Sequence, residues 1–169
     1  MNKRTGIITM GSNPMTLLGN EIKIGDTGFD FMAFNNDLSQ FKLSDIKSKT
    51  KIISVVPSVD TGVCELQTIR FNEEASKLED TAIITISVDL PFAQSRFCAN
   101  KGIKQSITVS DYKDLSFGLN YGFVIEELRL LARGIVVLDE NNVVKHIEYV
   151  TEVTNHPDYD KAIEIAKNI

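Results

Sequence analysis

The sequence predicts an α/β protein with a central mixed β-sheet flanked by helices. Its 169 residues are 43% hydrophobic and 24% charged, which suits a folded domain with its own core. Strand-like and helix-like segments alternate along the chain. Residues 51–56 form a continuous β-rich run with no alternation of polar and apolar residues, which is typical of a strand covered on both faces. A sheet built around such a strand needs helices on both sides.

The first segments predict an N-terminal β-hairpin. Residues 5–9 and 15–18 are short strand-like runs, and the turn-forming sequence Gly11-Ser12-Asn13-Pro14 lies between them. A further apolar strand is expected at residues 29–34, and a short helical turn at residues 44–46.

The central segments predict two strand–helix units. The strand at 51–56 precedes a segment at 63–78 whose apolar residues recur on one helical face. The strand at 82–88 precedes a helix that begins at Pro91, with Asp89 as its expected cap, and ends near Gly102.

The last segments predict a strand at 106–109, a helix at 116–121, a strand hairpin made of 129–138 and 143–150, and a closing helix at 157–169. The complete order is ββ, then βαβαβα, then ββα. A βαβ unit followed by a ββα unit is the plan of thioredoxin-like folds. We therefore expect a single thioredoxin-like domain over residues 1–169.

Charge and hydropathy exclude several classes of function. The net charge is −5 and the basic residues are scattered, which argues against a nucleic-acid partner. The longest apolar runs, 52–56 and 135–138, are too short to span a membrane, and residues 6–10 are too short for the apolar part of a signal peptide. We therefore expect a cytoplasmic protein. Thiols are kept reduced in that compartment, so its two cysteines favour catalysis or redox chemistry over a structural disulfide.

Cys64 is the principal candidate for a reactive residue. A strand ends before Pro57, a loop follows, and a helix is expected to begin with Cys64 in its first turn and with Thr61 or Asp60 as its cap. The free N–H groups and the positive end of the helix dipole favour a thiolate there, and the thiolate is the nucleophile. These local features alone leave open that Cys64 is a small, inert, buried side chain.

The motif Pro57-x-x-x-Thr61-x-x-Cys64 resembles the active-site signature of the peroxiredoxins, which have a thioredoxin fold. Wider matches, from about residue 5 to the C-terminus, resemble one branch, the thiol peroxidases. They include Cys64-x-x-Gln67-Thr68, the segment from Ser87 to Cys98 with its Phe92-Ala93-Gln94-x-Arg96-Phe97-Cys98 ending, Ser116-Phe117-Gly118, and Leu130-Leu131-Ala132-Arg133.

The resemblance implies a role for each matching residue. Cys64 corresponds to the peroxidatic cysteine, which attacks a hydroperoxide and becomes a sulfenic acid. Thr61 corresponds to the threonine that hydrogen-bonds the peroxide, and Pro57 to the residue that shields the pocket. Arg133 corresponds to the arginine that stabilises the thiolate and the charge that develops as the O–O bond breaks.

Cys98 corresponds, by the same resemblance, to a resolving cysteine in the same chain. It would form a disulfide with Cys64 that a thioredoxin-type dithiol then reduces. Because the two positions lie on separate predicted helices, local unwinding is expected when the bond forms. The resemblance also implies a homodimer, hydrogen peroxide and organic hydroperoxides as substrates, and no metal, haem or flavin. The apolar residues near the motif favour alkyl or lipid hydroperoxides.

Other functions are weighed against this one. Cys64, Cys98, His146 and His156 are potential metal ligands, but they lack the paired spacing of structural zinc sites, and both histidines are expected at the surface or at caps. A dithiol exchanger usually carries Cys-x-x-Cys, whereas Gln67 stands at the second position here. A peroxide-sensing switch or binding protein that uses the same cysteine pair is the remaining alternative.

Two positions depart from the pattern of the family. Gly134 follows Arg133 where a larger residue such as alanine is expected, and we expect this change to loosen the strand. Tyr112-Lys113 is less typical after Ser110-Asp111 and concerns the rim of the substrate site.

Overall fold

A computed structural model describes residues 1–169 as two β-sheets, four α-helices and one short 3-10 turn at Leu43–Asp45. The strands are β1 Lys3–Met10, β2 Asn13–Leu18, β3 Met32–Phe34, β4 Gln40–Lys42, β5 Thr50–Val55, β6 Thr81–Ser87, β7 Ile107–Ser110, β8 Val124–Ile125, β9 Leu130–Leu131, β10 Gly134–Leu138 and β11 Val144–Tyr149. The helices are α1 Gly62–Ala75, α2 Pro91–Lys101, α3 Ser116–Tyr121 and α4 Tyr159–Lys167. None of the helices is long and apolar enough to cross a membrane.

The larger sheet has seven strands in the order β11-β10-β5-β6-β7-β3-β4. Strands β5, β6 and β7 run parallel, while β10 pairs antiparallel with both β5 and β11. All six residues of β5 are buried, as expected for a central strand covered on both faces. The predicted mixed sheet flanked by helices is confirmed.

The predicted N-terminal hairpin is also confirmed. Strands β1 and β2 pair antiparallel around the turn, with Met10 opposite Asn13, and form a smaller sheet with β8 and β9 in the order β1-β2-β8-β9. At the end of β1, Thr9 also makes a parallel bridge to Glu152, which lies in the loop after β11.

Alternating side chains of β10 enter two different cores. Val136 and Leu138 belong to a large cluster on the face of the sheet covered by the hairpin and α3, whereas Ile135 and Val137 pack with residues of α1 and α4 on the other face. This alternation follows from the two-residue period of a strand. A third, small cluster of Val56, Val59 and Cys64, against which Phe97 packs, lies at the start of α1.

The predicted strand at residues 129–138 is wrong as a single element. The structure divides it into β9, which belongs to the smaller sheet, and β10, which belongs to the larger one. Ala132 and Arg133 lie between the two strands, and Arg129 has a φ of 53° where the chain turns into β9. Leu131 of β9 and all of β10 are buried, and apolar composition does not show which of two sheets a strand joins.

Gly134 tightens the packing of β10 instead of loosening it. A Cβ atom at this position would lie 2.0 Å from the Glu148 carbonyl oxygen and 2.6 Å from the Phe123 ring. Only glycine therefore allows β11 and Phe123 to approach the backbone this closely beside Arg133.

His146, which was expected at the surface, is buried. It lies in β11 with 5% of its surface exposed, and its Nε2 atom has no hydrogen-bond partner. Burial lowers the pKa of His146; the charge of Lys161 lowers it further, and that of Asp158 opposes the shift. The imidazole is therefore held neutral in the folded protein.

This burial predicts a specific loss of stability in acid. Because the folded pKa of His146 lies below its ordinary value of 6.5, the unfolded chain binds the proton first, and stability falls as pH drops below about 6.5. Urea unfolding at pH 8 and pH 5 should show a smaller drop for His146→Leu than for the wild type. The exposed histidine variant His156→Gln serves as the control and should follow the wild type. Equal drops in His146→Leu and the wild type would contradict the prediction.

Candidate active site

Cys64 is fully buried in the first turn of α1. The chain leaves β5 after Val55 and reaches α1 through a loop at 56–61. Thr61, the N-cap residue, has extended backbone angles, and its carbonyl accepts the Glu65 N–H at 2.9 Å. Cys64 is thus the third helical residue, where backbone N–H groups have no partner within the helix. The helix dipole adds a positive electrostatic potential at this end of α1.

The expected side-chain cap of α1 is absent. Neither Asp60 nor Thr61 accepts a helix N–H through its side chain. Thr61 is exposed, and its hydroxyl makes only a 3.5 Å contact to the Ser58 carbonyl. The hydroxyl is therefore available to another partner in the loop region next to Cys64.

Arg133 is the charged group that contacts Cys64. Its side chain is buried, with 2% of the residue exposed, and Nη2 donates to Cys64 Sγ at 3.2 Å. Nη1 donates to Gln67 Oε1 at 2.8 Å, and Nε donates to the Val153 carbonyl at 2.7 Å. Three directional bonds therefore fix the plane of the guanidinium, and one of them ends on the sulfur.

Gln67 is a site residue whose positioning role the sequence did not reveal. Its amide nitrogen donates to Ser54 Oγ at 2.9 Å and to the Val55 carbonyl at 3.3 Å, which leaves the amide oxygen to face Arg133. A signal was present, because Cys64 and Gln67 are three residues apart and share one face of α1. Gln67 thereby anchors the guanidinium to the central strand.

Asp89 supports the loop before Cys64 and does not cap α2. The N-cap of α2 is Leu90, which makes no side-chain capping bond. The Asp89 carboxylate accepts the Ser58 hydroxyl at 2.6 Å, the Val59 N–H at 2.8 Å and the Ser87 hydroxyl at 2.6 Å. These bonds fasten the loop to the end of β6 and hold Pro57 in a buried position.

Cys98 lies on α2 with its thiol free and partly buried, and its Sγ donates to Thr108 Oγ1 at 3.4 Å. Cys64 is also a free thiol, so the structure shows no disulfide between the two helices. The helices are joined instead by a Glu65–Lys101 ion pair at 2.7 Å and by Phe97 packing on the cluster around Cys64. A cleft of about 430 Å³ lies between them, lined by Ser58, Val59, Asp60, Glu65, Arg96 and Phe97, among others.

The four side chains that were considered as metal ligands do not assemble. No group of three or more His, Cys, Asp or Glu side chains has the geometry to hold a metal ion. His146 is buried in β11, and His156 is exposed beside Tyr159, with 2.8 Å between His156 Nδ1 and the phenol oxygen.

Comparison with known proteins decides the family. Residues 23–163 match the family model described as Redoxin. Thiol peroxidases from Halalkalibacterium halodurans and Bacillus subtilis are 59% and 56% identical to this chain over 160 residues, which cover 95% of this chain and 96% of each relative. The chain belongs to the thiol peroxidases of the Redoxin family. It is therefore a peroxidase that depends on a thiol.

Solved structures agree with this assignment and confirm the thioredoxin-like fold. A peroxiredoxin-like protein from Aquifex aeolicus superposes with a TM-score of 0.90 at 32% identity, covering 99% of both chains. A thiol peroxidase from Chromobacterium violaceum gives a TM-score of 0.84 at 20% identity over 95% of both chains and supports the fold alone. The hairpin β1–β2 of the present chain lies outside residues 23–163, which match the Redoxin family.

Proposed function

We propose that this thiol peroxidase reduces hydrogen peroxide and organic hydroperoxides with Cys64 as the attacking residue and Cys98 as the resolving residue of the same chain. The observation that carries the proposal is the 3.2 Å contact between Arg133 Nη2 and Cys64 Sγ at a helix N-terminus. The contact places a fixed cationic donor directly on the sulfur that would act as the nucleophile.

In the first step the Cys64 thiolate attacks one oxygen of the hydroperoxide. An S–O bond forms and the O–O bond breaks, so the sulfur is oxidised to a sulfenic acid and the peroxide is reduced. The leaving alkoxide or hydroxide takes up a proton and departs as alcohol or water. Arg133, the Thr61 hydroxyl and the first-turn N–H groups of α1 donate to the oxygens as charge develops on them. The buried Pro57 shields the sulfur from bulk water.

In the second step the Cys98 thiolate attacks the sulfenic sulfur. An S–S bond forms, the S–O bond breaks, and the oxygen leaves as water after protonation. Both cysteines lie within helices, so we expect local unwinding around one or both of them when the bond forms. The Glu65–Lys101 ion pair and the contact of Phe97 with the Cys64 cluster would break in this movement.

A thioredoxin-type dithiol would then reduce the Cys64–Cys98 disulfide and become a disulfide itself. The side chains of Leu66, Leu90 and Phe92 are exposed on α1 and at the start of α2. Their apolar surface supports alkyl or lipid hydroperoxides as substrates, and it also supports a homodimer that covers part of it. We place the enzyme, as one domain of residues 1–169, in the cytoplasm.

A coupled assay tests this function. The purified protein, thioredoxin, thioredoxin reductase and NADPH are mixed with cumene hydroperoxide or hydrogen peroxide, and NADPH oxidation is followed. We expect continuous consumption of both peroxides beyond many equivalents of protein. Consumption that stops after one equivalent would contradict the proposal and favour a peroxide-sensing switch.

A further inference from the structure

The tip of the N-terminal hairpin is attached to the loop at 151–154, which follows β11. The Thr9 N–H donates to the Thr151 carbonyl at 2.6 Å, and the Val153 N–H donates to the Thr9 carbonyl at 2.8 Å. These bonds extend β1 by a parallel bridge to a segment about 140 residues away in the sequence. The hairpin lies outside the residues that match the Redoxin family, yet it is bonded to Val153, whose carbonyl accepts Arg133 Nε.

The Glu152 carboxylate secures this attachment. Oε2 accepts the Thr9 hydroxyl at 2.7 Å and the Ser12 N–H at 3.0 Å, and Oε1 accepts the Gly11 N–H at 2.9 Å. Oε1 also accepts the Thr154 hydroxyl at 2.8 Å and the Thr154 N–H at 3.2 Å. The bond from the Ser12 N–H is the largest cause that lowers the pKa of Glu152 to about 2, so the group is ionised at neutral pH.

The backbone of Val153 links the hairpin, to which the Glu152 carboxylate is bonded, to Arg133 and through it to the sulfur of Cys64. Its N–H is bound to Thr9, and its carbonyl accepts Arg133 Nε at 2.7 Å. Arg133 Nη2 in turn donates to Cys64 Sγ at 3.2 Å. Val153 is 1% exposed, so its backbone groups are shielded from solvent and are bonded to protein partners. A displacement of the 151–154 loop would therefore remove the acceptor of Arg133 Nε, one of the three bonds that fix the guanidinium.

We propose that Glu152 is a positioning residue for peroxide reduction. Its carboxylate fastens the turn of the hairpin to the 151–154 loop and thereby holds the Val153 carbonyl against Arg133. The hairpin thus helps to position Arg133 in the active site, although none of its side chains bonds to Cys64. This inference rests on the proposed action of Arg133 on Cys64.

A double-mutant cycle tests whether Glu152 acts through Arg133. The four proteins are the wild type, Glu152→Gln, Arg133→Gln and the double variant, and the measurement is the second-order rate of Cys64 oxidation in a single turnover with hydrogen peroxide. All five partners of the carboxylate are donors, and the new amide NH₂ would face at least one of them. We expect Glu152→Gln to lower the rate about tenfold in the wild type and less than about twofold in the Arg133→Gln background.

Two further variants keep the test decisive. Glu164→Gln, at an exposed position on α4, is the matched control and should leave the rate unchanged. Thr9→Val removes the 2.7 Å bond from the hairpin side and should lower the rate about two- to threefold, again only when Arg133 is present. If the circular dichroism spectrum shows that Glu152→Gln is not folded, Thr9→Val tests the proposal in its place.

Equal losses in both Arg133 backgrounds would overturn the proposal, since Glu152 would then act without Arg133. An undiminished rate in both Glu152→Gln and Thr9→Val would overturn it as well. A wild-type protein that does not react with peroxide would instead remove the proposed function on which the inference rests. The two failures are therefore distinguishable.

Discussion

Replacing Cys64 by serine is expected to abolish peroxide turnover. A serine hydroxyl has almost the shape of the thiol, so the buried cluster with Val56, Val59 and Phe97 should remain packed. The hydroxyl is not ionised at neutral pH and cannot supply the anionic nucleophile. In the coupled thioredoxin assay the rate should fall to the background, a loss of at least about 10³-fold.

Cys98→Ser is the matched control, because the chain has only these two cysteines. It keeps Cys64 and Arg133 in place, so the first equivalent of peroxide should still be consumed at the wild-type rate. Continuous turnover with thioredoxin should then stop for lack of a resolving thiol. Residual multiple turnover by Cys64→Ser at more than a few per cent of the wild-type rate would contradict the assignment of Cys64.

Replacing Arg133 by glutamine is expected to have the second largest effect. The substitution removes the charged donor to Cys64 Sγ and leaves the buried Gln67 Oε1 and the Val153 carbonyl without their partner. The loss of a pre-oriented cationic donor should lower the second-order rate of Cys64 oxidation by about 10²–10³-fold. Each buried acceptor left unpaired should also lower the free energy of unfolding by about 1–3 kcal/mol.

Stopped-flow measurement of sulfenic acid formation, together with urea unfolding of the same variant, separates these two effects. Arg133→Lys keeps the charge but cannot reproduce three bonds in a fixed plane, so its rate should lie between those of glutamine and the wild type. If folded Arg133→Gln reacted with peroxide within about threefold of the wild-type rate, the guanidinium would have no part in the chemistry.

The alternating segments of the sequence predict the three parallel strands at the middle of the larger sheet, β5, β6 and β7. The run at 51–56 corresponds to β5, an interior strand of that sheet. The helix predicted to begin at Pro91 ends at Lys101, and its C-cap residue Gly102 has a φ of 66°, the left-handed conformation that glycine adopts readily. A β-rich run and a glycine at a helix end are set by residues close together in the sequence, so the sequence alone predicts them. The short strands β4 and β8 were missed, because two or three residues carry no detectable period.

Features set by distant contacts could not be predicted. Asp89 has the position of a helix cap in the sequence, but its carboxylate is bound by a loop about 30 residues earlier. His146 faces charges from Lys161 of α4 and from Asp158. Gly134 lies against Glu148 of β11 and against Phe123. None of these neighbours is near in the sequence, so local patterns do not predict either environment. The motif around Cys64 is local and was recognisable. The bonds from Arg133 to Gln67 and Val153 are tertiary and needed the structure.

Peptide mapping after a single turnover is the most direct test of the two-cysteine account. Isotopically light and heavy protein are mixed, treated with one equivalent of hydroperoxide, alkylated and digested without reductant. The account predicts one cross-linked species, Cys64 to Cys98, in which both peptides carry the same isotope. A link of mixed isotope would contradict it by showing a bond between chains, as would Cys64 oxidised to a sulfinic acid while Cys98 is recovered as a free, alkylated thiol.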